Sequence, residues 1–154
     1  MMKFRMVDRI LSWEPQRRIA GTKTVSFEEY SLRLALGDGP RLPESLLLES
    51  FFQLGNWLIV LTSDFTRMGL IVRTEEVRFA GPVGPGERMT MELSVRRYRA
   101  DGVLFDGVGR VGDREVAVGR GCLAALAPLA DYADPEDLRV LFSEIHRPEE
   151  PPPP

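Results

Sequence analysis

Glu44-Ser45-Leu46-Leu47-Leu48-Glu49-Ser50-Phe51-Phe52-Gln53-Leu54-Gly55-Asn56-Trp57-Leu58-Ile59-Val60-Leu61-Thr62-Ser63 is the stretch on which the fold turns. Pro40 and Pro43 break the chain ahead of it, and the acidic and hydroxyl residues at its start suit the unpaired amides and positive dipole end of a helix. Apolar residues cover most of the circumference. A helix wet along one whole side does not carry that pattern, so this one is expected to be largely enclosed. Glu49, Gln53 and Asn56 interrupt it, which makes it a poor membrane span. Spaced i, i+4 and i+7, those three polar residues share one face.

What encloses the helix is read from the flanks. Before it, Arg18–Val25 favours extended structure through Ile19, Thr22, Thr24 and Val25. After it come four β-like runs, Gly69–Phe79, Arg88–Tyr98, Val103–Val111 and Glu115–Ala127. Gly84-Pro85-Gly86, Asp101-Gly102 and Gly112-Asp113 separate them, and the last two have tight-hairpin chemistry. Strands that feed hairpins build an antiparallel sheet. One strand, one buried helix and then a meander therefore predict an α+β domain of hotdog topology, an antiparallel sheet wrapped around one long central helix.

A short C-terminal helix follows. Asp134-Pro135-Glu136-Asp137 carries an N-cap, a first-turn proline and acids at the dipole end. Leu138, Leu141, Phe142 and Ile145 then repeat at i, i+3, i+4 and i+7 and form one sticky face. The expected organisation is a hotdog domain over residues 1–130, the amphipathic helix within 131–147, and a proline-rich tail, extended or disordered, over 148–154.

Bulk properties exclude some functions. A length of 154 residues at 44% hydrophobic content supports one domain with a real core. A net charge of -3 makes nucleic acid a poor default partner. One cysteine, Cys122, precludes an intrachain disulfide framework and fits a reducing compartment. The N-terminal residues hold no uninterrupted apolar run, so a cytosolic, soluble protein is expected. No metal-ligand spacing, phosphate loop or Ser/His/Asp set is visible.

Three segments resemble the β-hydroxyacyl-(acyl carrier protein) dehydratase family. Met6-Val7-Asp8-Arg9-Ile10 resembles its opening strand motif. Val77-Arg78-Phe79-Ala80-Gly81-Pro82-Val83-Gly84-Pro85-Gly86-Glu87 resembles its RF-x-x-PV-x-PGD segment. Pro40-Arg41-Leu42-Pro43-Glu44-Ser45-Leu46-Leu47-Leu48-Glu49-Ser50-Phe51-Phe52-Gln53 resembles its P-x-x-PG-x-L-x-x-EA-x-x-Q helix start. The resemblance implies an acyl-thioester protein of fatty-acid or polyketide-type metabolism, dimeric because family sites form at the subunit interface. It implies no cofactor beyond the phosphopantetheine arm of a carrier protein, or coenzyme A, as part of the substrate.

The departures from the family pattern gather in one place. Its Gly-His-Phe-Pro tetrad falls on Leu34-Ala35-Leu36-Gly37, so Ala35 stands where the catalytic histidine belongs. The glycine whose amide faces the thioester oxygen falls on Glu44, and of the acid–base pair only Glu49 survives. Dehydration of a 3-hydroxyacyl thioester needs a base at C2, an acid at the departing hydroxyl and donors for the developing oxyanion. Ala35 is no base, and the Glu44 side chain obstructs the approach that glycine permits. The sequence's one histidine, His146, lies in the tail, beyond the matched region. The expectation is a dehydratase-like lyase that does not dehydrate alone, acting as partner subunit of an active dehydratase-like chain or as an acyl-thioester binder. A hotdog thioesterase using Glu49 is the alternative.

Glu44, Gln53, Asn56, Phe79 and Pro82 are the expected ligand-binding residues around Glu49. On the residues alone, the Glu49/Gln53/Asn56 stripe either meets water or a dimer contact, or lines the thioester end of a tunnel. Arg78, Arg88, Arg96, Arg97 and Arg99 make the β region locally basic. They form either a solvated strand face or, for Arg78, Arg96, Arg97 and Arg99, a landing patch for an acidic carrier protein. Cys122, in an apolar strand, reads as core filler.

Overall fold

A computed structural model describes residues 5–28 and 39–148. Ala35 and its neighbours Leu34, Leu36 and Gly37, together with tail residues 149–154, lie outside the described residues.

In chain order the elements are β1 (Arg9–Glu14), β2 (Arg18–Thr24), α1 (Glu44–Thr62), β3 (Arg67–Arg73), β4 (Glu76–Phe79), β5 (Arg88–Tyr98), β6 (Gly102–Val111), β7 (Arg114–Pro128), a 3-10 turn at Leu129–Asp131, and α2 (Pro135–Ile145). The strands form one antiparallel seven-stranded sheet in the order β1-β2-β5-β6-β7-β3, with β4 also beside β7. The sheet curves around α1, which is the hotdog arrangement.

Glycines set how closely α1 approaches the sheet. The ring of Phe51, fully buried, lies against Gly107, Gly109 and Gly119, where an added Cβ would sit 3.0, 3.1 and 3.4 Å from its carbons. Gly107 and Gly119 are paired across β6 and β7, so the strands present a bare slot to the aromatic ring. Beside it Leu47, Leu54, Leu58 and Ile59 of α1 are 1, 0, 2 and 1% exposed. Each contributes about 1.5–3 kcal/mol of burial before ordering costs.

The helix spans Glu44–Thr62, ending one residue short of the expected Ser63. Its start differs from expectation. Pro43 is the N-cap and no side chain caps the helix; Glu44 is exposed, so the acid contributes charge near the dipole but no capping bond.

Two strand assignments are corrected. Arg9–Glu14 is a strand paired with β2, so two strands, not one, precede α1. The single run expected over Gly69–Phe79 is two strands. β7 bulges at Gly121 (φ +62°), leaving β4 to pair with Ala117–Arg120 and β3 with Leu123–Pro128 on either side.

α2 begins as its sequence predicts, with the Asp134 carboxylate accepting from the Glu136 amide at 2.9 Å and Pro135 in the first turn. Its apolar face packs on the hotdog core: Ile145 is buried, and Phe142 lies 6.0 Å from Trp57 and 6.4 Å from Phe65. Arg139 sits 4.3 Å over the Phe65 ring. Beyond α2, His146 bridges in parallel to Ile10 and the Arg147 amide donates to the Ile10 carbonyl at 2.9 Å, lengthening the sheet past β1.

Candidate functional site

The end of the sheet that faces the start of α1 is tied together by the 80–87 loop. The Leu42 amide donates to the Val83 carbonyl at 2.8 Å, and both side chains are buried, so the loop fixes the segment that enters α1. Gly86, at φ +83°, donates to Val25, and Val25 donates back to Glu87 at 3.0 Å. Only glycine adopts that backbone without strain. Arg114 clamps the loop from the β6–β7 hairpin, donating to the Pro82 carbonyl and the Glu87 carboxylate, each at 3.0 Å. Glu87 also accepts from the Gly84 amide at 2.9 Å. The motif's proline, glycines and acid thus build a rigid rim beside the helix start.

On that rim Pro82 is exposed, with its carbonyl taken by Arg114, and Phe79, ending β4, is half-buried against the core. Glu44 stands exposed at the first helical turn. The first amides of α1 to find a partner are those of Leu46 and Leu47, which donate to the Pro43 carbonyl at 2.9 and 3.2 Å. The amides of Glu44 and Ser45 have no partner among the described residues, as the first donors of an uncapped helix do not.

One turn further, Glu49 is half-buried and held. The Gln53 amide nitrogen donates to its carboxylate at 3.1 Å, and the Gln53 carbonyl accepts the Met6 amide at 2.8 Å. Gln53 is thereby anchored at both ends, and its orientation orients Glu49. The second carboxylate oxygen of Glu49 has no partner among the described residues. A carboxylate held at one oxygen, with the other unpartnered among the described residues, is equipped to move a proton or to attack a carbonyl. Asn56, on the same face, accepts the Gly69 amide at 2.8 Å and pins the start of β3 to the helix.

His146, the C-cap of α2, stacks on Phe142 at 4.8 Å and bridges to Ile10. Those contacts keep it with α2 and β1. Cys122 is buried on β7, where burial pushes its thiol above the ordinary range although Thr74 partly offsets this.

The arginines separate into three settings. Arg78 on β4 pairs with Glu115 at 3.3 Å. Arg96 donates to Asp106 at 2.7 Å; that bond raises its pKa, and the same carboxylate accepts the Gly121 amide at 2.9 Å in the β7 bulge. Arg97 and Arg99 line one hollow of about 330 Å³ with Arg73, Val72, Leu104 and Leu123. Arg97, Leu104, Leu123 and Arg73 are successive partners across β5, β6, β7 and β3. Arg78 instead lies beside Val118, roughly 15 Å further along β7. The structure therefore joins Arg97 and Arg99 and leaves Arg78 elsewhere. Sequence reading missed Arg73, Arg114 and the Met6 amide, because each reaches its place through pairings distant in the chain.

Comparison with known proteins places this geometry in a family. A family model described as a FabA-like domain matches residues 1–120. The 3-hydroxyacyl-[acyl-carrier-protein] dehydratase FabZ of Caulobacter vibrioides is 31% identical over 117 residues, covering 74% of each chain. That of Symbiobacterium thermophilum is 30% identical over 137 residues, covering 88% of this chain and 94% of the relative. Among solved structures, the dehydratase heterocomplex ApeI:P from Xenorhabdus doucetiae superposes with a TM-score of 0.56 at 15% identity, over 75% of this chain and 92% of that one, a likeness of fold. The RF…PV-x-PG rim, the enclosed helix carrying Glu49 and the family match over residues 1–120 lead to one conclusion: this chain belongs to the FabA-like family of hotdog-fold proteins.

Proposed function

We propose that this chain is a dehydratase-like acyl-thioester protein that does not dehydrate alone, acting as the partner subunit of a mixed dimer or as a carrier-linked acyl-chain binder in the cytosol. The observation that supports the reading is the Glu49 carboxylate, braced by Gln53 at 3.1 Å. Beside it stands a mismatch that the resemblance implies, with Ala35 and Glu44 read at the family's histidine and glycine positions. In a mixed dimer Glu49 supplies the acid and the other chain supplies the histidine. The fold accommodates unlike chains, since ApeI:P is itself a dehydratase heterocomplex. The hollow lined by Arg73, Arg97 and Arg99, with Asp101 beside them and Arg73 paired to Glu75 at 3.5 Å, offers an acidic carrier protein a net basic surface with an apolar floor.

A second reading is a thioesterase, supported by the Glu49 oxygen that has no partner among the described residues. Hydrolysis requires no C2 base, so the lost histidine does not bear on it. Mass spectrometry of the purified protein with a panel of 3-hydroxyacyl and saturated acyl thioesters separates the cases. Unchanged ligand is expected for the protein alone, and free acid supports hydrolysis. Efficient enoyl product from the homodimer refutes the leading proposal. Glu49→Gln keeps shape and hydrogen bonding; any hydrolysis should fall by orders of magnitude in it, and retained activity removes Glu49 from catalysis.

A further inference from the structure

On the outer face of the sheet, away from Glu49, three strands and the residues after α2 enclose a second hollow of about 380 Å³. Arg9, Thr22, Arg88, Thr90 and Arg147 line it. The register explains the convergence. Arg9 pairs with Thr22 across β1 and β2, and Thr22 pairs with Thr90 across β2 and β5, so all three project from one row. Arg88 pairs with Thr24, the next position on the same face. Arg147 arrives as the sheet is lengthened past Ile10, and its Nη1 is fixed on the Ser143 and His146 carbonyls at 3.1 and 2.9 Å.

This cluster is cationic without internal compensation. Arg9 and Arg88 have no carboxylate within ion-pair reach among the described residues. Two acids in or beside these strands are engaged elsewhere: Glu92 pairs with Arg110 at 3.8 Å, and Asp8 receives the Thr24 amide at 2.6 Å and faces Lys23 at 3.9 Å. The second observation is Thr22 itself. It is 3% exposed and among the residues that line the hollow, and its hydroxyl, closed to solvent in this structure, is the one buried side-chain oxygen or nitrogen among the described residues with no hydrogen-bond partner. A buried hydroxyl left unmade is costly and calls for a partner. Guanidinium forks at the rim match the oxygens of a phosphate group, and the Thr22 hydroxyl would reach one of them after a χ1 rotation toward the hollow.

We propose that this hollow is a binding site for a phosphate group, either inorganic phosphate or the terminal phosphate of an ester. The site stands whether or not Glu49 has the role proposed above. The full-length chain would be melted in phosphate, and separately in 4′-phosphopantetheine, against chloride at equal ionic strength. Protection beyond chloride is expected. Arg88→Gln should weaken apparent affinity about tenfold or more and Thr22→Val about two- to tenfold. Without phosphate, Thr22→Val should melt no lower than the parent, because it removes an unpaired hydroxyl at constant shape. That reversal separates ligand binding from a structural role. Protection by 4′-phosphopantetheine alone, with the same variant pattern, assigns the phosphate to an ester. Protection by neither, or protection that survives both substitutions, overturns the proposal. So does protection that emerges only in Glu149→Gln/Glu150→Gln, since carboxylates following Pro148 would then be the occupant.

Discussion

Gly55→Ala in the middle of α1 sets two effects against each other, and the structure decides the sign. Helix propensity favours alanine by about 0.8–1 kcal/mol. The site does not. A Cβ at position 55 would lie 2.7 Å from Cζ, 3.0 Å from Cε1 and 3.1 Å from Cε2 of Phe105. Carbon pairs normally rest about 3.5–4.0 Å apart. Phe105 is 2% exposed on β6, so its ring has no free volume to enter. Overpacking of this kind costs about 1–3 kcal/mol, which leaves a net destabilisation of about 1 kcal/mol after the propensity gain. For a chain this long that corresponds to a melting point about 2–4 °C lower. Urea denaturation with an unchanged m-value reports the difference. Gly55→Ala combined with Phe105→Leu should cost less than the two single changes summed, by about 1 kcal/mol, because the smaller side chain vacates the contested space. A more stable Gly55→Ala, or strict additivity in the pair, would refute the argument that glycine is there for the close approach.

The other predictions test separate parts of the molecule. Phe142→Ala removes the ring that α2 sets between Trp57 and Phe65; being half-buried, it should cost about 2 kcal/mol and lower the melting point about 4–8 °C, and an unchanged melting curve would show that α2 contributes nothing to the core. Ala35→His alone should yield little dehydration, since an unstabilised oxyanion costs about 3–4 kcal/mol, or about 10²–10³ in rate. Ala35→His with Glu44→Gly should do distinctly better in an enoyl-product assay, and equal rates in the two variants would sink the idea that Glu44 is a second defect. Burial raises the Cys122 thiol, so at neutral pH native protein should react with iodoacetamide far more slowly than urea-unfolded protein; equal rates would count against its burial.

The helix and the hairpins were legible in the sequence because their signals are local. Eleven apolar residues around one helix demand an enclosure, and Gly112-Asp113 favours a tight turn between β6 and β7. The break between β3 and β4 was not legible, because its cause lies on another strand, in the bulge of β7 at Gly121. β1 is short and mixed in character, and its pairing with β2 decides its state. The stripe of Glu49, Gln53 and Asn56 was visible as a face, but its division of labour was not. Gln53 braces the carboxylate through Met6, and Asn56 holds Gly69, both partners being far away in sequence. The arginines show the limit most plainly. Counting gave one patch, whereas register gives two paired surface ions, one shared hollow and a further cluster around Thr22.

The bridge from His146 to Ile10 has a bearing on assembly. A sheet with two bare margins can add copies at both and grow without limit, which is how fibres form. Here the β1 margin is overlaid at Ile10 by the chain leaving α2 and interrupted by a bulge between Ile10 and Ser12. The opposite margin, β3, carries Leu70 and Val72 at 39 and 62% exposure and has β7 as its one strand neighbour among the described residues. A body that is closed on one flank and open on the other has a geometry that limits its own growth. Two copies that met β3 to β3 about a twofold axis would use up the exposed flank of both, and association of that kind would terminate at a pair.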